Sequence, residues 1–365
     1  MKPDVARVAV VHDWLTGMRG GEHVLEAILE LFPQAEIFTL FHLPGSVSRL
    51  IESRRITTSF LQPIASRITN YRHLLPFFPA AARSWDFRRF DLIISSSHCV
   101  AKGVRALGLP HLCYCHTPMR YVWDRFDDYF PRGITRALAK PMAAWLRRWD
   151  VRTADEVTRF TANSNFVRSR IERYYHRDAD VIHPFVDRAF LDAPLIEERD
   201  DDHVIVSALV PYKKLELAID AFAGTSRRLV ILGGGPMLEQ LRRRSGPNVT
   251  LTGRVSREAI IERLSRAKSL ILPGVEDFGI TPLEAMALGT PVVALGAGGV
   301  LDSVKDGVTG IFFDEPVVDS MRLALHEAES RTWDRAAIRA HAAGFSRARF
   351  QEQFLRSLAQ LGDRR

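Results

Sequence analysis

Short apolar runs alternate with helix-patterned stretches along the whole of this 365-residue chain. Such a chain has few options: it forms an α/β protein with parallel sheets, because each crossover lays a helix on a sheet face. In the first half the runs are Val8–Val11, Ala35–Leu40, Leu92–Ser95, His111–Cys115, Thr158–Ala162 and Val181–Ile182. In the second half they are Val204–Ala208, Leu229–Leu232, Val249–Leu251, Ser269–Leu272, Val292–Ala294 and Gly310–Phe313. Two such series, each about 150–180 residues long, predict two doubly wound domains. The break falls near His183-Pro184-Phe185-Val186-Asp187, which gives domains at 1–185 and 186–346. A terminal helical pattern occupies 347–365, with apolar positions at Phe350, Phe354, Leu355 and Leu358.

The densest chemistry lies in Glu276-Asp-Phe-Gly-Ile-Thr-Pro-Leu-Glu284. The run Ser269–Leu272 before it reads as a buried strand, and Pro282–Leu288 reads as a helix with proline in its first turn. Glu276 then sits in the loop at the strand's carboxyl end, and Glu284 about one turn into the helix. The backbone N–H groups of Phe278, Gly279 and Ile280 fall at the helix N-terminus, where free donors and the dipole favour an anion. Carboxylates that accept from vicinal hydroxyls make charge-assisted bonds, the strong kind. Strand, loop and helix together suit a sugar joined to a diphosphate.

The string continues through Gly289-Thr-Pro-Val-Val-Ala294 and, as a whole, resembles the donor-binding signature of retaining glycosyltransferases of family four, which have the GT-B fold. The resemblance covers most of the chain and is strongest in the second half. It implies two Rossmann-like domains facing a cleft, with the terminal helix crossing back to the first domain. It also implies a nucleotide-diphosphate sugar as donor substrate, with no cofactor and no metal. Glu276 would hold the hydroxyls of the transferred sugar and Glu284 the ribose.

Val206-Ser-Ala-Leu-Val-Pro-Tyr-Lys-Lys-Leu215 resembles the family's first strand, loop and helix of the donor domain, which places Lys213 on the diphosphate. The family's accompanying arginine would fall at Ala208, a departure that leaves Lys214 or an arginine elsewhere to compensate. Ile231-Leu-Gly-Gly-Gly-Pro236 matches the family's glycine loop. Arg254 follows the next strand, where it could stack on the base, bond its edge or face solvent. In the first half, Val10-Val-His-Asp-Trp-Leu-Thr-Gly-Met-Arg-Gly-Gly-Glu22 is similar to the family's double-glycine loop, so Gly20 and Gly21 would bring backbone N–H groups to the phosphate. His116, in Tyr114-Cys-His-Thr-Pro118, matches a family histidine beside the sugar, where it would position or donate to a sugar oxygen. Arg120, Tyr121 and Asp124 are candidates to face the acceptor. The whole pattern looks most like bacterial mannosyltransferases of O-antigen and exopolysaccharide assembly. That implies GDP-mannose as donor, other GDP- or UDP-sugars remaining open, and a polyprenyl-diphosphate-linked saccharide as acceptor. Epimerase, phosphorylase and non-catalytic sugar-nucleotide-binding readings share the fold.

Charge bears on partners. Residues 1–185 carry 26 Lys+Arg against 18 Asp+Glu, whereas the remainder carries 24 against 25, so the whole excess of +7 belongs to the first half. There Arg132, Arg136, Lys140, Arg147, Arg148 and Arg152 interleave with Ile134, Leu138, Met142, Trp145, Leu146 and Trp149. This pattern fits either an anionic inner-membrane surface or a helix packed on the core with a solvated outer side. No motif of nucleic-acid recognition accompanies it. No apolar run reaches the ~18–20 residues of a membrane span, and Val5–Val11 is too short for a signal peptide. Cys99, Cys113 and Cys115 have no zinc-site spacing and read as reduced core thiols. These features predict a cytoplasmic protein, peripheral at the inner membrane face.

Overall fold

A computed structural model describes residues 7–65, 71–129 and 134–361. Arg132 and the side chains of Ile134 and Leu138 lie outside the described residues. The chain divides into two compact units. Residues 1–183 and 350–365 form one, and residues 184–349 the other.

The first unit contains β1 (Val8–His12), β2 (Glu36–Thr39), β3 (Ile56–Thr58), β4 (Leu92–Ser97), β5 (His111–Cys115), β6 (Arg159–Ala162) and β7 (Ala179–Val181). They form one parallel sheet in the order β3-β2-β1-β4-β5-β6-β7. Strand β3 was not predicted, because three half-exposed residues at an edge make no apolar run. Strand β7 begins two residues earlier than the apolar pair Val181-Ile182 suggests. The helix Arg347–Ala359 buries Phe350 and Phe354. Phe350 meets the Tyr114 ring at 5.5 Å between centroids, and Gln351 donates to the Ala27 carbonyl at 3.1 Å.

The second unit contains β8 (Asp202–Val206), β9 (Arg228–Leu232), β10 (Val249–Gly253), β11 (Ser269–Leu272), β12 (Val292–Leu295) and β13 (Gly310–Phe313). Its parallel order is β10-β9-β8-β11-β12-β13. Side chains alternate across this sheet: Leu270, Leu272 and Ala294 join one apolar cluster, while Ile271, Val293 and Leu295 join another. Both faces are therefore covered, which is why these strands read as unbroken apolar runs. The two α/β domains with parallel sheets expected from the alternation are present.

All three cysteines are buried and unpaired in disulfides; burial pushes the Cys113 thiol up to about 12. No helix of the described residues is long and apolar enough to cross a membrane. In the helix Ile134–Ala154, Ala139, Ala143 and Leu146 pack into the core, while Trp145 stays 45% exposed. Most of the apolar side of this basic stretch is thus used inside the unit.

His111 is wholly buried on β5, with Nε2 at 2.8 Å from the Ser95 hydroxyl. Burial first, and then the charge of Lys102, push its pKa from 6.5 down to about 3. The unfolded chain therefore takes up a proton below pH 6.5 that the folded chain refuses down to about pH 3. Stability from this residue is complete above pH 6.5 and falls as pH drops through that window. Between pH 7.5 and 5 it is expected to cost about 2 kcal/mol. Denaturant unfolding of wild type and His111→Asn at both pH values checks this. The variant should lose less on acidification, and equal losses would refute the assignment.

Candidate active site

In parallel α/β sheets the ligand crevice opens at the carboxyl ends of the strands, where the strand order reverses. That point lies between β8 and β11 in the second unit, and between β1 and β4 in the first.

In the second unit, β8 runs into the turn Pro211–Lys213, and Lys214 (φ 55°) then opens the helix Leu215–Phe222. Gly274, just past β11, is packed against that turn. A Cβ there would stand 2.8 Å from the Tyr212 carbonyl oxygen and 2.9 Å from that of Lys213. Only glycine lets the two loops close so far. The Lys213 ammonium as a result forms an ion pair with the Glu276 carboxylate, and their side chains are 17% and 22% exposed. Glu276 is held from its other side too. The Gly299 N–H donates to its carbonyl at 2.9 Å, and a Cβ on Gly298 would come within 2.6 Å of the same oxygen. The loop after β12 therefore sets the position of a carboxylate on the loop after β11.

Gly279 (φ 84°) precedes the helix Ile280–Ala287, which starts two residues before Pro282. Phe278 is 2% exposed as a whole residue and its ring faces Phe345 in the core. Glu284 is half-buried in the second turn. The glycine loop folds directly onto the segment after β8. A Cβ at Gly233 would lie 1.9 Å from the Ser207 carbonyl oxygen, and one at Gly235 would lie 2.4 Å from that of Leu209. The Leu209 N–H donates to the Gly234 carbonyl at 3.1 Å. Arg254 lies across Gly234, where a Cβ would stand 2.8 Å from its Cγ and 3.2 Å from its Nε. Ala208 is exposed. Arg254 thus packs over the glycine loop, whose Gly234 carbonyl accepts from Leu209, the residue after Ala208.

In the first unit the sheet register sets His12 of β1 opposite Ser96 of β4. The Ser96 hydroxyl lies 3.1 Å from His12 Nδ1 and 2.8 Å from His116 Nε2. His116 follows β5, its N–H donating to the Ser97 carbonyl at 2.8 Å, its ring 5.1 Å from that of Tyr114. Gly20 and Gly21 open the helix Gly20–Leu31. A Cβ on Gly21 would be 3.7 Å from both His116 Nε2 and His12 Cε1, so the glycine lies against both rings. Glu22 is 4% exposed. It accepts the Arg19 N–H at 3.0 Å, half of a capping box, and its other oxygen lies 3.7 Å from His12 Nε2. Burial works to raise the Glu22 pKa, but His12, His98 and a backbone N–H outweigh it and hold the carboxyl below its ordinary value.

Asp13, fully buried, accepts four backbone N–H groups, from His98, Cys99, Val100 and Ala101, at 2.7 to 2.9 Å. Arg120 and Tyr121 are half-buried in the turn beyond His116. Asp124 is engaged within the unit: it pairs with Arg170 and accepts the Tyr174 hydroxyl. The structure thus unites Lys213 with Glu276, and Gly21 with His116. It adds His12, Asp13, Glu22, Ser96, Gly274, Gly298 and Gly299, which sequence reasoning did not single out as functional. Among the described residues no group of three or more His, Cys, Asp or Glu is placed to hold a metal ion.

Two family models match and together span most of the chain: Glycosyltransferase Family 4 over residues 18–190, and Glycosyl transferases group 1 over residues 187–343. The alpha-D-kanosaminyltransferase of Streptomyces kanamyceticus is 28% identical over 313 residues, covering 74% of this chain and 79% of that one. A GDP-mannose-dependent alpha-(1-6)-phosphatidylinositol monomannoside mannosyltransferase of Mycobacterium tuberculosis is 34% identical over 142 residues, 34% of this chain and 37% of that one. The chain therefore aligns with little more than a third of that enzyme. Among solved structures, Anabaena HepE in complex with UDP superposes with a TM-score of 0.71 at 17% identity, covering 97% of this chain and 100% of that one.

Proposed function

The chain belongs to glycosyltransferase family 4, with the GT-B fold, and on that premise we propose that it transfers mannose from GDP-mannose to a lipid-linked saccharide with retention of configuration. The observation that carries this reading is the Lys213–Glu276 pair, set at the switch point of the second sheet beside the N-terminus of the helix Ile280–Ala287. A cation for the diphosphate and a carboxylate for sugar hydroxyls stand side by side there.

In the proposed reaction the acceptor hydroxyl attacks the anomeric carbon as its bond to the phosphate oxygen breaks. The glycosidic bond forms on the face the nucleotide leaves, and the hydroxyl proton passes to the departing phosphate oxygen. The protein's share is orientation and stabilisation of the growing negative charge. Lys213 and the N–H groups at Gly279 and Ile280 supply the second of these, and Glu276 the first. Glu284 takes the ribose, and Lys214 and Arg254 add charge around the nucleotide. In the first unit Gly20 and Gly21 bring backbone N–H groups to the diphosphate, and His116 serves the sugar. No cofactor or metal enters the proposed reaction.

A cavity of about 450 Å³ in the first unit is lined by Trp123, Phe126, Asp124, Asp127, Arg136, Lys140 and Arg147, with Arg136 paired to Asp127 at 2.7 Å. Its aromatic walls with a mixed charge set, cations in slight excess, are where the proposal seats part of an amphipathic acceptor. Association with the inner membrane face belongs to the same proposal.

Calorimetry of GDP and UDP binding, without added metal, tests the donor. Tight GDP and weak UDP binding is the expected result. The reverse would keep the transferase reading and remove mannose. Binding of neither would overturn the donor site.

A further inference from the structure

The helix Ile134–Ala154 carries Arg147 to the wall of the 450 Å³ cavity in the first unit. Arg147 is half-buried, and its guanidinium lies over two rings, 5.6 Å from the centroid of Trp123 and 5.8 Å from that of Phe126. Its Nε–H donates to the Val122 carbonyl. Neither terminal nitrogen has a hydrogen bond or a carboxylate partner among the described residues. We propose that Arg147 is a specificity-determining residue whose two terminal nitrogens bind a phosphate of a lipid diphosphate, while the adjoining hydrocarbon lies on the Phe126 and Trp123 rings.

The charges around the cavity leave this one cation for a ligand. Asp124 is taken by Arg170 and the Tyr174 hydroxyl, and Asp127 by Arg136 at 2.7 Å. Both carboxylates that line the cavity are therefore compensated inside the unit. Arg147 and Lys140 are the lining cations with no acidic partner among the described residues. Lys140 is exposed, so water satisfies it, whereas Arg147 is half-buried. A guanidinium whose Nε is already used presents its terminal nitrogens as a fork, and that fork matches two oxygens of one phosphate. Stacking on aromatic faces fixes the plane of the fork. Both rings line the same cavity, so apolar surface adjoins the bound phosphate.

The wall is built in advance. Trp123 Nε1–H donates to Asp150 Oδ2 at 2.8 Å, and the indole stacks on Tyr174 at 4.4 Å between centroids and 14° between planes. Asp150 is fully buried; it also accepts the Tyr175 hydroxyl at 2.8 Å and lies 3.0 Å from the ammonium of Lys102, itself 1% exposed. An indole held by a buried carboxylate loses little freedom when a ligand arrives. The wall is also tied to the sugar end. Arg170, the partner of Asp124, donates to Thr117 Oγ1 at 2.7 Å, and Thr117 directly follows His116.

The name of the ligand rests on the reading of this cavity as an acceptor seat, whereas the anion fork does not. Calorimetric titration of the full chain with farnesyl diphosphate, farnesol and inorganic pyrophosphate, with GDP in excess to occupy Lys213, tests both. Farnesyl diphosphate should bind, with farnesol and pyrophosphate weaker by about tenfold or more. Arg147→Met keeps an apolar stem. It should weaken farnesyl diphosphate by about 10–100-fold, and leave farnesol and GDP within about twofold. Arg147→Lys keeps the charge without the fork and should lose about three- to tenfold. Wild-type affinity in folded Arg147→Met, or in Arg147→Lys where only that variant folds, overturns the proposal. So does a wild type that does not bind farnesyl diphosphate. Pyrophosphate binding as tight as that of farnesyl diphosphate also overturns it, because the ligand would then be a free phosphate. Arg147-dependent binding of farnesyl diphosphate by a protein that binds neither GDP nor UDP would uphold the fork and bring down the transferase reading alone.

Discussion

Replacing Glu276 with alanine is expected to lower sugar transfer about a thousandfold while leaving nucleotide binding nearly intact. The first half of the expectation comes from lost charge-assisted bonds to sugar hydroxyls, roughly 1.5–3 kcal/mol each, compounded by misplacement of the reacting carbon. The second half comes from the structure. Glu276 is the counter-ion of Lys213, and both are largely shielded from water. Removing the carboxylate frees the ammonium, whose next available partner in the proposed complex is the donor diphosphate. GDP affinity should therefore hold or rise. Lys213→Ala should behave in the opposite way. It leaves a carboxylate facing the diphosphate, and GDP binding should weaken by about 10–100-fold. Steady-state kinetics and calorimetry on the two variants separate this from a plain structural ion pair. A surface pair contributes about 0–1 kcal/mol to stability, and its loss would shift melting slightly and treat GDP alike in both variants. Turnover near wild type in Glu276→Ala would end the assigned role.

The same two residues show what could be read along the chain and what could not. Each lies in a continuous strand, loop and helix, so its place at the carboxyl end of a strand follows from local pattern. The apolar runs were legible for a related reason. A strand covered on both faces, such as β12, reads as an unbroken apolar run. Strand β3, half-exposed at the sheet edge, carries no such obligation and left no mark. Contacts made between distant segments were beyond local pattern. Gly274 admits the Lys213 turn, and Gly298 and Gly299 grip the Glu276 backbone. As letters they are ordinary glycines, and their meaning appears only when a Cβ is built against the neighbouring loop. His12 and Ser96 stand 84 residues apart. Their meeting depends on the register of β1 against β4, which hydrophobic pattern does not supply.

Asp13 is the strongest case of such a hidden role, and Asp13→Ala is expected to destabilise the first unit by about 4–6 kcal/mol. The carboxylate ends β1 at full burial, and each oxygen takes two N–H groups of the turn after β4. Oδ2 takes His98 at 2.7 Å and Cys99 at 2.9 Å, and Oδ1 takes Val100 at 2.7 Å and Ala101 at 2.8 Å. The His98 ring adds a contact at 3.2 Å. Alanine would leave four donors unanswered, of which Cys99, Val100 and Ala101 belong to buried residues. A buried unsatisfied group costs about 1–3 kcal/mol, and partial opening of the turn to water recovers some of the sum. The remainder approaches the 5–15 kcal/mol that holds a typical domain together. Asp13→Asn should be nearly as harmful, because its amide NH₂ would face one pair of donors with donors of its own. Denaturant unfolding gives the magnitude. Hydrogen exchange gives the location, with the amides of residues 98–101 expected to lose protection first. A loss below about 1 kcal/mol in Asp13→Ala would mean that the turn finds other acceptors. The turn starts directly after β4, two residues beyond Ser96. The carboxylate that satisfies its backbone therefore also holds the strand end from which Ser96 reaches His12 and His116.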